Sequence, residues 1–324
     1  MYYKNENKTF IFDRPKKISI KYVIKRSLLY CKQLYYNMLF QTVHAKPVQD
    51  TKYDVSICAI FKDEADYLKE WIEFHKIVGV EHFYLYNNMS SDNYLEVLKP
   101  YMQSGEVTLT DWEEWPVQMP AYSDCVKKYK QETKWIAFVD IDEFIVPNVC
   151  DKIYDFLKKF DSRYPIVIAY WRCFGTSGRI ERRKEGLVTE DFTVSWKKYT
   201  DIGKCFYNTR FDYADDERVN NTNVHGRWGK YKNMLLPPVN CYGKVCIGDE
   251  NPVGKGNMPI QINHYLLKSY GEYINKKRKR GGPTHSTDVY NMGYFYWHET
   301  KCQGVDYHIY KYMIQLKLNL QREQ

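Results

Sequence analysis

The chain has 324 residues, 44% of them hydrophobic and 17% aromatic, enough apolar material to bury a core and to exclude disorder throughout. Its formal charge of +8 gathers in residues 1–50, where ten Lys or Arg face Glu6, Asp13 and Asp50; the rest is nearly balanced, so no nucleic-acid partner is expected. Nine cysteines, an odd number with no CxxC pair, argue against a disulfide scaffold or zinc ribbon, and no signal-peptide pattern or apolar run of about 18 residues stands out. The expectation is a reducing, cytoplasmic setting.

Residues 16–40, "KKISIKYVIKRSLLYCKQLYYNMLF", mix basic and apolar residues at spacings a helix sorts into two faces. Such a helix suits peripheral contact with an anionic membrane, or simply packing on the main domain. Residues 1–50 therefore read as a basic amphipathic extension and 51–324 as one domain, its regular half at 51–150 and a looser half at 151–324. "VSICAIF" (55–61) predicts a strand. The following "DEADYLKEWIEFHKIVGV" predicts a helix with Leu68, Trp71, Ile72, His75 and Val78 on one face and Asp63 set to cap its first turn. A strand at "EHFYLYNN", a helix through "NYLEVLKPYM", a strand at "EVTLTDW", a helix from Ala121 to Glu132 and a strand over 135–144, "WIAFVDIDEF", come next. This alternation predicts an α/β fold with a mostly parallel sheet covered by helices on both faces.

Ligands of such sheets collect at the carboxyl ends of the strands. Those ends are polar here: Lys62, Asp63 and Glu64, then Asn87, Asn88, Ser90, Ser91 and Asp92, then Asp140, Asp142 and Glu143. The apolar run "IVIAYWRCFGTSG" brings Gly175 to Gly178 to the same edge, and a last helix is expected near "YHIYKYMIQLKLNL". Strand alternation points Asp140 and Asp142 to one side. Half-buried neighbours of like charge need protonation, a cationic partner or a metal ion, and hard oxygen ligands suit Mg²⁺ or Mn²⁺. A bare DxD also arises as a strand-end cap or a salt-bridged pair.

The stretches "ICAIFKDEADYLKEWIEFHKIVGVEHFYLYNNMSSD", "WIAFVDIDEFIVP", "WRCFGTSG" and "INHYLLKS" followed by "KRKRGG" resemble glycosyltransferase family 92 and the bacterial family 2-like glycosyltransferases, in blocks over roughly residues 54–281. "DIDEF" combined with the E-W-xx-F-H helix is the specific part. The resemblance implies a GT-A fold, a UDP-sugar donor, a DxD-bound Mn²⁺ or Mg²⁺, and inversion at the anomeric carbon. Galactose is the sugar moved by family members of known activity. On this chain it implies Asp140 near the ribose and among the metal ligands, with Asp142 and His264 as the other ligands. Lys62, Asp63, Asn87 and Asn88 would meet the nucleoside, and Lys268, Ser269, Lys277 and Arg280 the diphosphate. His264 as a core histidine, the Asn and Asp residues as turn formers and the basic run as a solvated face remain the bland alternatives.

Gly271 in "YGEY" stands where relatives commonly carry a second acid, which leaves the role of Glu272 open. Inversion needs a general base. Asp216 is the first choice ahead of Glu217 and Asp249, while Gly175, Ser177 and His225 are candidates for the acceptor, with Trp171 stacking on a ring. The function expected is transfer of a hexose to a glycan or lipid-linked glycan in surface polysaccharide synthesis, at the inner face of the membrane. The rivals are a Mg-dependent nucleotidyl- or phosphotransferase, disfavoured because the first strand ends in the glycine-free "FKDEAD", and a non-catalytic carbohydrate- or membrane-surface-binding protein.

Overall fold

The structure, a computed structural model, describes residues 19–47, 50–113, 118–213, 228–247, 258–280 and 290–322. Helix α1 (Ile20–Thr42) leads into β1 (Tyr53–Phe61), α2 (Ala65–Ile77), β2 (His82–Asn87), α3 (Tyr94–Gln103), β3 (Val107–Asp111), α4 (Gln118–Tyr129) and β4 (Thr133–Phe138). Next come β5 (Glu143–Pro147), α5 (Ile153–Leu157), β6 (Ile166–Cys173), α6 (Val188–Asp191), β7 (Val194–Trp196), β8 (Gly203–Asn208) and β9 (Asp212–Tyr213). The chain continues with β10 (Gly229–Tyr231), β11 (Met234–Leu236), β12 (Val239–Asn240) and β13 (Ile260–His264). Helix α7 over residues 270–280, α8 (Met292–Lys301), β14 (Cys302–Val305) and α9 (Met313–Arg322) complete it.

The central sheet runs β3-β2-β1-β4-β8-β6-β13-β5, with β12 also on β6. Only β8 and β5 run against the others, giving a mixed, mostly parallel sheet flanked by helices on both faces, as the alternation predicts. β1 and β4 are apolar without alternation because both their faces are covered, and they dominate the core with Ile57, Ala59, Ile136 and Phe138.

Two local expectations are corrected. The run 135–144 is two strands, since Glu143 N–H donates to Asp140 O at 3.1 Å and closes a turn between β4 and β5. Asp140 and Asp142 therefore sit in a turn, and strand alternation does not orient them. Asp63 does not cap α2. It adopts a left-handed φ of 53° and accepts Ser91 N–H at 2.7 Å, while Asp92 Oδ2 accepts the Ala65 N–H at 2.8 Å. The two acids exchange roles because the loops after β1 and β2 brace each other.

His75 is fully buried, as its helical position predicts. Nδ1–H donates to Trp71 O at 2.8 Å, and Nε2 accepts the Ile145 N–H at 3.1 Å, so one neutral tautomer ties α2 to β5. Burial pushes its pKa down to about 3. An unfolded imidazole titrates near 6.5, so between those values the unfolded chain binds one more proton. The contribution is intact above about pH 6.5 and falls by about 1.4 kcal/mol per pH unit below it. His298, also held down by burial, adds to the slope. Denaturant titrations from pH 7 to 4 are expected to show this steady loss, and His75→Gln to remove one proton's worth of it.

Candidate active site

The turn at Asp140–Glu143 is held from below by α2. Trp71 Nε1–H donates to the carbonyls of Asp140 (3.2 Å) and Glu143 (2.8 Å). With His75 on Ile145, one turn further along, the E-W-xx-F-H pattern clamps both ends of the acidic stretch. Glu70 faces away, accepting the Val188 and Thr189 N–H groups at 2.8 and 2.9 Å. Trp71→Phe keeps the bulk but leaves buried carbonyls short of a donor. Chemical unfolding is expected to record a loss of about 1–3 kcal/mol.

Above the clamp the carboxylates separate. Asp140 Oδ2 lies 2.8 Å from Lys204 Nζ, and its Oδ1 accepts Gln118 Nε2–H at 2.9 Å. Lys204 is 1% exposed in its side chain and also reaches Glu143 Oε2 at 3.4 Å. Burial alone would discharge this lysine, but Asp140 and Glu143 outweigh it and raise its pKa. Asp142 points the other way, 3.3 Å from Lys277 Nζ and 3.6 Å from His264 Nε2. Burial works against its charge, yet Lys277, then His264 and Lys268, hold its pKa well below the ordinary carboxylate value. Glu143 is pushed up, by burial first and by Asp140 and Asp142 next, against the pull of Lys204. The like charges are thus relieved partly by internal cations, the second of the three solutions the sequence allows.

Asp142, Glu143 and His264 bring one ligand atom each within 4.8 Å of one another, a group able to hold a metal ion. Asp140, the other expected ligand, is not part of this group and pairs with Lys204, whereas Glu143 belongs to it. Glu143 Oε1 and His264 Nδ1 lie 4.0 Å apart, both buried and both without a hydrogen-bond partner. Burial, opposed by Asp142, lowers the His264 pKa, so its imidazole is neutral, the form a ligand requires. Two carboxylates and an imidazole fit a divalent cation, and the nitrogen favours Mn²⁺ over Mg²⁺.

Of this group Asp142 lines a cleft of about 580 Å³ at the ends of β1 and β2, whose walls also carry Lys62, Lys268, Lys276, Lys277 and Lys279. Lys268, at a left-handed φ of 53°, sits 3.2 Å from the Tyr67 ring centroid and 3.6 Å from Glu64. Burial lowers its pKa although Glu64 and Asp142 oppose this. Glu272 closes a capping box with Ser269 and accepts the Tyr67 hydroxyl, which gives it a structural part at the start of α7. A Cβ at Gly271 would meet the carboxylate of Glu181, an exposed side chain that would have to swing aside to admit one.

Asp63 lines the cleft with Lys62, whereas Asn87 and Asn88 are spent on the fold. The Asn87 amide donates to Tyr94 and Asp111, both at 2.9 Å, and that of Asn88 to Trp112 O at 3.0 Å. Ser177 Oγ accepts the Thr193 and Val194 N–H groups at 2.9 and 3.0 Å, and Gly175 lies where a Cβ would meet Cys302 and Glu299. Trp171 packs on His264, ring centroids 4.6 Å apart. Asp216 and His225, and the side chain of Arg280, lie outside the described residues. The sequence reading missed Lys204 and the clamping part of Trp71. A lysine within the buried-type strand "GKCFYN" was the available signal for the first.

A profile of glycosyltransferase family 92 matches residues 52–300. The chain is similar to a glycosyltransferase family 92 protein of Oryza sativa subsp. japonica, 30% identical over 142 residues, or 42% of this chain and 24% of that protein. It is also similar to a family 92 protein of Caenorhabditis elegans, 26% identical over 189 residues, 52% of this chain and 36% of that one. A galactan beta-1,4-galactosyltransferase of Arabidopsis thaliana is 31% identical over 104 residues, 29% of this chain and 21% of the relative. The matched stretches thus span little more than a third of these relatives at most. Among solved structures, S. aureus TarS 1–349 in complex with UDP-GlcNAc superimposes with a TM-score of 0.35 at 12% identity, covering 64% of this chain and 60% of that one, too distant to bear on the site. The family profile covers β1 through α8, including the acidic turn, its clamp and the lysine-lined cleft, and on that ground the chain belongs to glycosyltransferase family 92.

Proposed function

We propose that the chain is a metal-dependent, inverting hexosyltransferase that takes its sugar from a UDP-sugar and delivers it to a glycan or lipid-linked glycan in surface polysaccharide synthesis. The observation that carries this reading is the Asp142, Glu143 and His264 group, whose Asp142 lines a cleft with five lysines. A bound Mn²⁺ would supply charge stabilisation to the departing UDP. Lys277 and Lys268 lie where they can neutralise phosphate oxygens, and Lys62 with Asp63 borders the nucleoside side. Asp140, anchored by Lys204, is read as a neighbour of the ribose and metal, and Asn87 and Asn88 as supports of the donor loop. Arg280 is assigned to the diphosphate, Asp216 to the general base, and Gly175, Ser177 and His225 to the acceptor, all on the sequence reading.

Galactose is the first sugar to test, supported by the likeness to the Arabidopsis galactan beta-1,4-galactosyltransferase. Residues 51–324 are taken as the catalytic unit, 51–150 for the donor and 151–324 for the acceptor. No disulfide joins any of the nine cysteines, which fits a reducing setting. Titration calorimetry with UDP, with and without Mn²⁺, tests the proposal together with UDP release from UDP-galactose, UDP-glucose and UDP-GlcNAc. Metal-dependent binding and turnover of one donor is the expected result. UDP affinity indifferent to Mn²⁺, with no donor consumed, would leave a binding protein, and nucleotidyl transfer to a sugar phosphate would give the site to the rival enzyme class.

A further inference from the structure

We propose that α1 is a lipid-docking element that seats the protein on an anionic bilayer surface. A surface helix ordinarily turns its single apolar stripe inward. α1 has two. One is docked: Phe40 is buried with its ring 4.8 Å from Tyr164, Tyr36 meets the edge of Trp228 at 5.8 Å, and Gln33 Nε2–H reaches Val245 O at 3.4 Å. The other looks away from the domain. Ile20, Ile24, Leu28, Tyr35 and Met38 are 80%, 55%, 59%, 56% and 69% exposed. At 100° per residue these five fall within about 80° of arc, opposite the docked side. Val23 and Leu34 extend the same stripe and are 50% and 45% exposed.

The charges choose the occupant. On the helical wheel Lys21, Lys25 and Lys32 fall between the exposed stripe and the docked face, with Arg26 on the other flank. From residue 14 to residue 49 the sequence has eight Lys or Arg and no acid. With the apolar stripe at the acyl boundary, the ammonium groups lie at headgroup level, the arrangement an in-plane amphipathic helix adopts on anionic lipid. A second copy of α1 laid on the stripe would bring basic flanks together without acidic partners. A nucleic acid would meet the lysines but has no use for five exposed aliphatic and aromatic side chains. Among the described residues no helix is long and apolar enough to cross a membrane, so the contact is a peripheral one.

Co-sedimentation of the full chain with vesicles tests this, comparing pure phosphatidylcholine with the same lipid containing about 30 mol% phosphatidylglycerol. Binding to the anionic vesicles is expected to exceed the neutral background by at least about tenfold and to weaken at high salt. Leu28→Glu with Tyr35→Glu is expected to abolish it, and Lys21→Glu, Lys25→Glu and Lys32→Glu together to remove the preference for anionic lipid. All five side chains are exposed, so thermal melting by circular dichroism should match wild type in both variants. Failure of the wild type to pellet, equal pelleting with both vesicles, or full binding by the Leu28 and Tyr35 variant would each overturn the proposal. So would a wild-type dimer, seen by ultracentrifugation, that this variant splits. None of these readouts depends on the sugar-transfer reading.

Discussion

Asp142→Ala is expected to lower turnover of the UDP-sugar on the order of 10³-fold while shifting the melting temperature by no more than a few degrees. The magnitude is that of removing one preorganised charge from a site where the leaving group gains charge. The small stability effect follows from position. Asp142 lines the cleft on a turn whose backbone is held by Trp71, and its partner Lys277 lines the cleft as well. Calorimetry should show Mn²⁺-dependent UDP affinity lost in step with turnover, since the metal group goes from three ligands to two. Asp140→Asn is the control. It should retain a metal-dependent increase in UDP affinity, because Asp140 lies outside the group that gathers around Glu143 and His264. Turnover by Asp142→Ala within tenfold of wild type, with Mn²⁺ still required, would remove Asp142 from the reaction.

The parts of this fold that sequence made legible are those governed by local periodicity. β1, α2 and β2 announce themselves because an apolar run gives way to a 3.6-residue pattern and back, and the predicted Leu68, Trp71, Ile72, His75 and Val78 are all buried, although Tyr67, Glu70, Glu73 and Phe74 are buried as well. The break at residue 139 was not legible, since "WIAFVDIDEFIVP" has no glycine or proline where β4 stops, and an i to i+3 hydrogen bond makes the turn instead. Asp63 looked like a cap on spacing alone, but a loop 28 residues away supplied it with a better partner in Ser91. The pairing of Lys204 with Glu143 was beyond reach for the same reason. Their meeting depends on β8 inserting antiparallel between β4 and β6, a pairing that no short-range pattern encodes.

That insertion makes Lys204→Met the most damaging single change expected for stability. The lysine brings one positive charge to two carboxylates, one of them fully buried, and breaking a buried ion pair from one side costs about 3–5 kcal/mol. A methionine of similar length keeps the packing, so the loss isolates the charge. Its pH dependence carries the signature. Burial already raises the Glu143 pKa, and without Lys204 it rises further. A carboxyl whose folded pKa exceeds its unfolded one is least harmful when protonated in both states. The deficit relative to wild type should therefore be smallest below about pH 4.3 and grow as the pH climbs through the folded value. Comparing variant with wild type at each pH cancels the opposing acid loss from His75. Adding Glu143→Gln and Asp140→Asn to Lys204→Met should recover most of the stability while leaving turnover low, because the fold needs the charges balanced whereas the reaction needs Glu143 ionisable. A deficit independent of pH, or one the neutral triple variant fails to reduce, would mean that Lys204 acts through packing rather than charge.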